Sequence, residues 1–289
     1  MIQQIVINGL INGSIYALLA IGFSLIFGVA RVVNIAHTAF YMTAAYFIYI
    51  GFQILGLSPL ITMPVSVVLT SIVGIICYRL FIKPIREHHS AVLIATIALA
   101  MVIQEIFLYF FGGSYRGVPP LISGYLSIGG IKVTNQHLLA LVVAVLVLIG
   151  TWALLMKTRL GLAIRCTAQD AEVANLMGIN VEREITWAIG ISVALAGLAG
   201  AIVVPLGVLD PHMWMHPLII MLAIVVLGGL GSVKGSFIGS YILGFAEALV
   251  VFVVPMGAYL KGSVALSIMI LVLLIRPEGL FGVVFEEER

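Results

Sequence analysis

Residues 5–28 read IVINGLINGSIYALLAIGFSLIFG, a stretch without a single charged side chain. About 20 consecutive apolar residues suffice for a helix to cross a bilayer. Further runs of this kind occupy 35–56, 59–82, 90–111, 137–156, 185–207, 234–254 and 260–276. A shorter run, 214–230, is long enough either to span or to re-enter. Only helices and closed barrels satisfy backbone groups in lipid, and none of these runs shows the period-2 alternation of barrel strands. The expected fold is therefore all-α: a polytopic transmembrane helical bundle of eight or nine helices. Residues 1–289 form one membrane domain with no room for a separate soluble one.

Composition agrees. The chain is 62% hydrophobic and 9% charged, and its mean hydropathy is +1.23. A soluble domain carries roughly a quarter charged residues to face water. The net charge of +2, without a basic run, gives no footprint for nucleic acid. Cys77 lies in an apolar run and Cys166 in a polar loop, so free thiols are expected. The first residues, MIQQIVINGL, lack a basic n-region and read as the start of a span, not as a removable signal.

Orientation follows from the basic residues. Loop 157–184 holds Lys157, Arg159, Arg165 and Arg183 and is expected in the cytoplasm. Nine spans then put the N-terminus outside and the C-terminus inside. Arg31, Arg79, Lys83, Arg86, Lys234, Arg276 and Arg289 join the inner set, while Arg116, Lys132 and Lys261 fall outside. The outer loop 112–136 contains GGSYRGVPP and SIGGIKV, whose glycines and prolines predict turns and a short hairpin.

Polar residues at membrane depth are the candidate functional groups. Asn8, Asn12 and Tyr16 recur every four residues and share a helix face. Asn34, His37, Thr38 and Tyr41 share another. Both stripes suit either the lining of an aqueous path or interhelical hydrogen bonding, with Asn34 capping its helix. Glu247 and Glu105 stand inside apolar runs. A carboxylate at the bilayer centre costs about 2.5–3.5 kcal/mol even on insertion scales, so Glu247 is expected protonated, hydrogen-bonded or facing internal water. For Glu105 a structural bond beside Gln104 is the preferred reading.

Gly231, Gly235 and Gly239 recur every four residues and predict a groove that admits another helix at close range. The preceding GGLG breaks a short apolar run, which also marks transport sites. His212 and His216 in DPHMWMH lack a third ligand for a metal. An interfacial loop anchored by Trp214 is expected there, and no metal or cofactor.

Loop 157–184 predicts a short amphipathic helix over about 168–177. Thr167 is placed as its cap with Asp170 three residues on. Ala171, Ala174 and Met177 share an apolar face, and Gly178 stops the helix. Such a helix between two spans suits docking to a soluble partner.

These residues carry a resemblance. LGLAIRCTAQDAEVANLMGIN (160–180) closely resembles the coupling loop of branched-chain amino acid ABC importer permeases. GSIYALLAIGFSLIFGVARVVNIAHTAFYM (13–42) is similar to that family's first hairpin. VLGGLGSVKGSFIGSYILGFAEALV (226–250) and RPEGLFG (276–282) resemble its closing region. The four segments occur in order over nearly the whole chain, which looks like the shorter of the two permease subunits. The resemblance implies a multi-pass plasma-membrane subunit that forms half of a path for branched-chain or related small amino acids. It implies a second permease subunit, two cytoplasmic ATPases and an extracytoplasmic binding protein. ATPase coupling would fall to Arg165, Gln169, Asp170, Ala171, Glu172, Ala174, Met177 and Gly178. The path would use Asn12, Tyr16, His37, Thr38 and Glu247. The chain has no G-x-x-x-x-G-K-[ST] loop, so ATP hydrolysis would belong to a separate chain. One departure stands out. After its histidine the family commonly has glycine and glutamate; here Thr38 and Ala39 follow, which leaves urea or short amides open as substrates. An ion-coupled secondary transporter using Glu105 and Glu247 is the rival reading. An intramembrane enzyme is disfavoured, because H-E-x-x-H and G-x-S-x-G motifs are missing.

Overall fold

The computed structural model describes residues 2–128 and 131–282. The expected helical bundle is what forms. The helices are α1 Ile2–Ala30, α2 His37–Tyr49, α3 Pro59–Cys77, α4 His89–Phe111, α5 Asn135–Lys157, α6 Arg159–Gln169, α7 Ala171–Leu176, α8 Val181–Val203, α9 Met215–Gly228, α10 Val233–Val253 and α11 Lys261–Ile275. Single π turns extend α2 over Ile50–Ile54 and α3 over Tyr78–Ile82. Among the described residues, seven helices are long and apolar enough to cross a membrane. Helix α2 with its π turn, and the 14-residue apolar α9, are shorter.

The directions follow from contacts at the two ends. At one end the Arg31 guanidinium, just past α1, donates to the Ala168 carbonyl at 2.9 Å. There Lys83 and Arg86 after α3 pair with Glu182 of α8 at 2.9 and 3.0 Å. The backbone N–H of Leu280, after α11, donates to the Leu227 carbonyl near the end of α9. This is the basic end. At the opposite end Arg116 donates to the Tyr49 hydroxyl at 2.7 Å and to the Phe111 carbonyl, and its backbone bridges to Leu209. The expected hairpin lies beside it: Tyr125–Ile128 (β1) pairs antiparallel with Ile131–Thr134 (β2), Tyr125 opposite Thr134.

Helix α1 is the central post and packs against α10, α8, α5 and α9. Between α1 and α2 the chain is unwound. Arg31 has φ 55° and the helix does not resume until Ala36–His37. Val32, Asn34 and Ala36 are nonetheless buried. Asn34 is not the helix cap; Ala36 holds that position without a side-chain bond.

The ambiguous segment resolves as α9, about 21 Å long at 1.5 Å per residue. It stops where Gly229 takes φ +97° and Gly231 φ +79°. Gly231 therefore lies in the turn before α10, against Gly28 and Phe27, and not on a continuous helical stripe. Gly235 and Gly239 do face α9. A methyl on Gly235 would fall onto the Gly228 carbonyl, and one on Gly239 would meet Leu227 and Ile224. The close helix contact is real, but it pairs glycine with glycine across two helices.

Candidate functional site

The loop between α5 and α8 folds as two helices where one was expected. Thr158 caps α6, its hydroxyl accepting from the Gly161 N–H at 3.0 Å. Thr167 is buried inside α6 and bonds back to the Ala163 carbonyl, so it caps nothing. Asp170 caps α7 instead, accepting from the Val173 N–H at 2.9 Å. That acid also sits favourably at the positive end of the helix. Gly178, at φ +84°, ends α7 as expected, and the Ile179 N–H returns to the Ala174 carbonyl.

The faces also differ from the expectation. Ala174 turns into the bundle and is 3% exposed, so it cannot share a free face with Ala171 and Met177. The apolar side chains that project are Val173, Leu176 (86% exposed) and Met177 (79%). Ala171, Glu172, Gln169 and Asp170 are exposed around them. Leu176 and Met177 thus form an exposed apolar pair among polar neighbours. Arg165 points elsewhere and lines a groove between α1, α5 and α10.

Of the proposed path residues, two meet. The Tyr16 hydroxyl of α1 donates to a Glu247 carboxyl oxygen of α10 at 2.7 Å. Glu247 is fully buried, and its other oxygen has no hydrogen-bond partner among the described residues. Asn12, one turn before Tyr16, is half-buried, and Asn8 bonds back to the Gln4 carbonyl. His37 and Thr38 lie apart from this pair, fully buried between α1, α2 and α8. One His37 ring nitrogen is 3.2 Å from the Leu19 carbonyl and the other 3.4 Å from the Ser192 hydroxyl. Ser192 in turn donates to the Gly22 carbonyl at 2.5 Å. Of the second stripe, His37 alone bonds across helices; Asn34 Oδ1 and Thr38 Oγ1 are buried without a hydrogen-bond partner among the described residues.

Glu105 is exposed on α4 and accepts from Gln104 at 3.3 Å. Trp214 is a correction: it is buried and donates its indole N–H to Gln104 at 2.8 Å, so it anchors α9 to α4 and not to an interface. His212 approaches Asp210 at 3.4 Å, and no metal-holding cluster occurs among the described residues. Cys77 and Cys166 are both free.

Comparison with known proteins now identifies the architecture. The family model described as branched-chain amino acid transport system, permease component, matches residues 5–273. The chain belongs to this family. The permease is 32% identical over 97% of its length to the high-affinity branched-chain amino acid transport system permease protein BraD of Pseudomonas aeruginosa, covering 95% of that protein. It is 29% identical over 96% to the corresponding LivH of Escherichia coli (95% covered). It is 30% identical over 97% to a probable LivH of Methanocaldococcus jannaschii (93% covered). Its fold resembles a chain of PsaBC from Streptococcus pneumoniae in complex with Fab, with TM-score 0.53 and 16% identity over 94% of this chain and 91% of that one. The permease is thus a multi-pass membrane protein and a transport subunit.

Sequence reasoning missed the hydroxyls that tie this permease's helices together. Ser14 bonds the Tyr241 hydroxyl at 2.9 Å, Ser24 bonds Ser236 at 2.5 Å, and Ser192 sits under His37. All four serines are fully buried. The available signal was serine inside a run otherwise built for lipid, where a hydroxyl needs a partner on another helix.

Proposed function

We propose that this chain is the membrane-spanning subunit of an ATP-driven importer for branched-chain or related small amino acids. It pairs with a second permease subunit, is driven by cytoplasmic ATPases that hydrolyse ATP on separate chains, and receives substrate from an extracytoplasmic binding protein. Family membership over residues 5–273 supports the class. The observation that carries the coupling role is the projecting apolar tip of α7, Leu176 and Met177, at the basic end. The ATPase takes that tip, with Ala171, Glu172 and Val173 beside it, and Asp170 and Gly178 fix the helix that presents it. The Tyr16–Glu247 pair with Asn12 offers polar groups for a zwitterion within an otherwise apolar wall. His37 braces α2 against α1 and α8 through Leu19 and Ser192, and the buried, unpartnered Thr38 hydroxyl beside it stays a candidate path group.

The test is uptake of radiolabelled leucine into proteoliposomes holding the complete importer and its binding protein. Uptake is expected to need internal-side ATP and to survive collapse of ion gradients. A Leu176→Glu/Met177→Glu variant is expected to lose at least about 90% of uptake, because a charge forced into an apolar contact is left unpaired. Its own unfolding midpoint is expected to stay put. Normal ATP-driven uptake by that variant would remove α7 from the coupling role. Uptake that ignores ATP and follows an ion gradient would favour the secondary-transporter reading, with Glu247 as the coupling acid.

A further inference from the structure

A groove of about 1140 Å³ runs up the basic half of the bundle between α1, α5 and α10, closed at its base by α6. Its walls are apolar: Ile21 and Leu25 of α1, Leu148 and Ile149 of α5, Phe237 and Ile238 of α10. Clefts for small molecules occupy about 300–1,000 Å³ and present a few convergent polar groups. This one is larger and offers an amino acid little to hold. Its length speaks for a different occupant. From Val145 to Met156 the α5 wall rises about 16 Å at 1.5 Å per residue. That is about half of the roughly 30 Å hydrocarbon core, the depth of one leaflet.

The basic end of the groove is built differently. Arg165, Lys234, Gln169 and Arg31 line it there, Arg31 already donating to the Ala168 carbonyl, and no acidic residue lines it among the described residues. The Arg165 Nε is buried and has no hydrogen-bond partner among the described residues. Trp152 stands exposed on the α5 wall, and the Lys157 ammonium lies 5.5 Å from its ring centroid, a pairing suited to the headgroup level. Acyl-length apolar walls ending in cations match one class of molecule. We propose that this groove is a binding site for an anionic phospholipid of the leaflet on the basic side. Its acyl chains lie along α5 and α10, and its phosphate is held by Arg165 and Lys234. The assignment is independent of what the permease transports.

Native mass spectrometry of the full chain in detergent tests it, with phosphatidylglycerol and phosphatidylcholine of identical acyl chains added together. With Arg31 engaged by the Ala168 carbonyl, Arg165 and Lys234 at the usual per-residue attraction of an anionic headgroup predict about a 30-fold preference for phosphatidylglycerol. Arg165→Gln/Lys234→Gln is expected to reduce that to near parity. Ile149→Trp fills the wall and keeps the charges; it is expected to lower retention of both lipids, and it decides the matter if the double variant fails to fold. Equal adducts in the wild type, or a preference that survives the double variant, overturns the proposal. So does displacement of phosphatidylglycerol by inorganic phosphate alone, which would make the site a phosphate site. Photocrosslinking to a partner subunit from a benzophenone maleimide attached at Ile149→Cys in the assembled importer would make the groove a protein interface and overturn it equally.

Discussion

Helices α1 and α11 are both apolar enough to cross a bilayer, but 78% of the spanning stretch of α1 is buried inside the chain and only 6% of that of α11. Apolarity does not separate them; side-chain size does. Gly9 and Gly13 let Phe245 and Tyr241 of α10 lie directly on the α1 backbone, and Gly22 admits the His37 ring. Helix α11 reads KGSVALSIMILVLLI, and its fully buried residue is Ala265. In lipid, apolar surface gains nothing by meeting apolar surface, so helices associate where backbones approach closely and where hydroxyls find partners. The centre of this bundle is marked by small and polar residues, and its rim by large aliphatic ones.

The comparison can be broken most directly at Gly244, whose missing Cβ would collide with Gly13 and the Gly9 carbonyl. Gly244→Leu is expected to drive α1 and α10 apart at a cost of about 1–3 kcal/mol or more. Size-exclusion chromatography and the unfolding midpoint in detergent read this; an unchanged midpoint would mean that α1 is not the post on which the bundle hangs. Tyr16→Phe strikes the same helix more gently, leaving the buried Glu247 carboxyl without its donor for a cost of about 1–3 kcal/mol at the lower end. Adding Glu247→Met is expected to restore most of that stability, since both polar partners are then gone; a double variant weaker than either single one would contradict it. The rim gives the smallest effect. Leu271→Ser on exposed α11 is expected to move the stability of the isolated chain by no more than about 0.5 kcal/mol. Loss of the second permease subunit from the purified importer of that variant would show what covers α11.

How much of this was legible depends on how local the signal is. The spans, the hairpin at 125–134 and the glycine stop at 178 rest on runs and turns a few residues long, and they are where the sequence puts them. The α7 cap was misassigned because TAQD offers two capping side chains. The choice of Asp170 over Thr167 depends on Thr167 being buried against the bundle. The exposed face of α7 turned for the same reason, since Ala174 is the small residue that fits inward. Trp214 reads as an interfacial anchor until Gln104, a hundred residues away in sequence, supplies a buried acceptor. His37 and Tyr16 look alike as polar marks on apolar helices. Only the third helix, with Ser192, separates a brace from a group that bonds a buried acid.

The bond from Arg31 to the Ala168 carbonyl has a mechanical consequence. It ties α6, and through it the proposed coupling helix α7, to the place where the central post ends in a left-handed turn and the following five residues have no helical ladder. Helix α1 cannot slide along α10 without lifting Gly244 out of its seat on Gly13. A load applied at α7 therefore reaches a rigid column through a compliant joint. Were α7 pushed, the unwound 32–36 segment, and not the glycine-seated α1–α10 contact, is where the chain would bend.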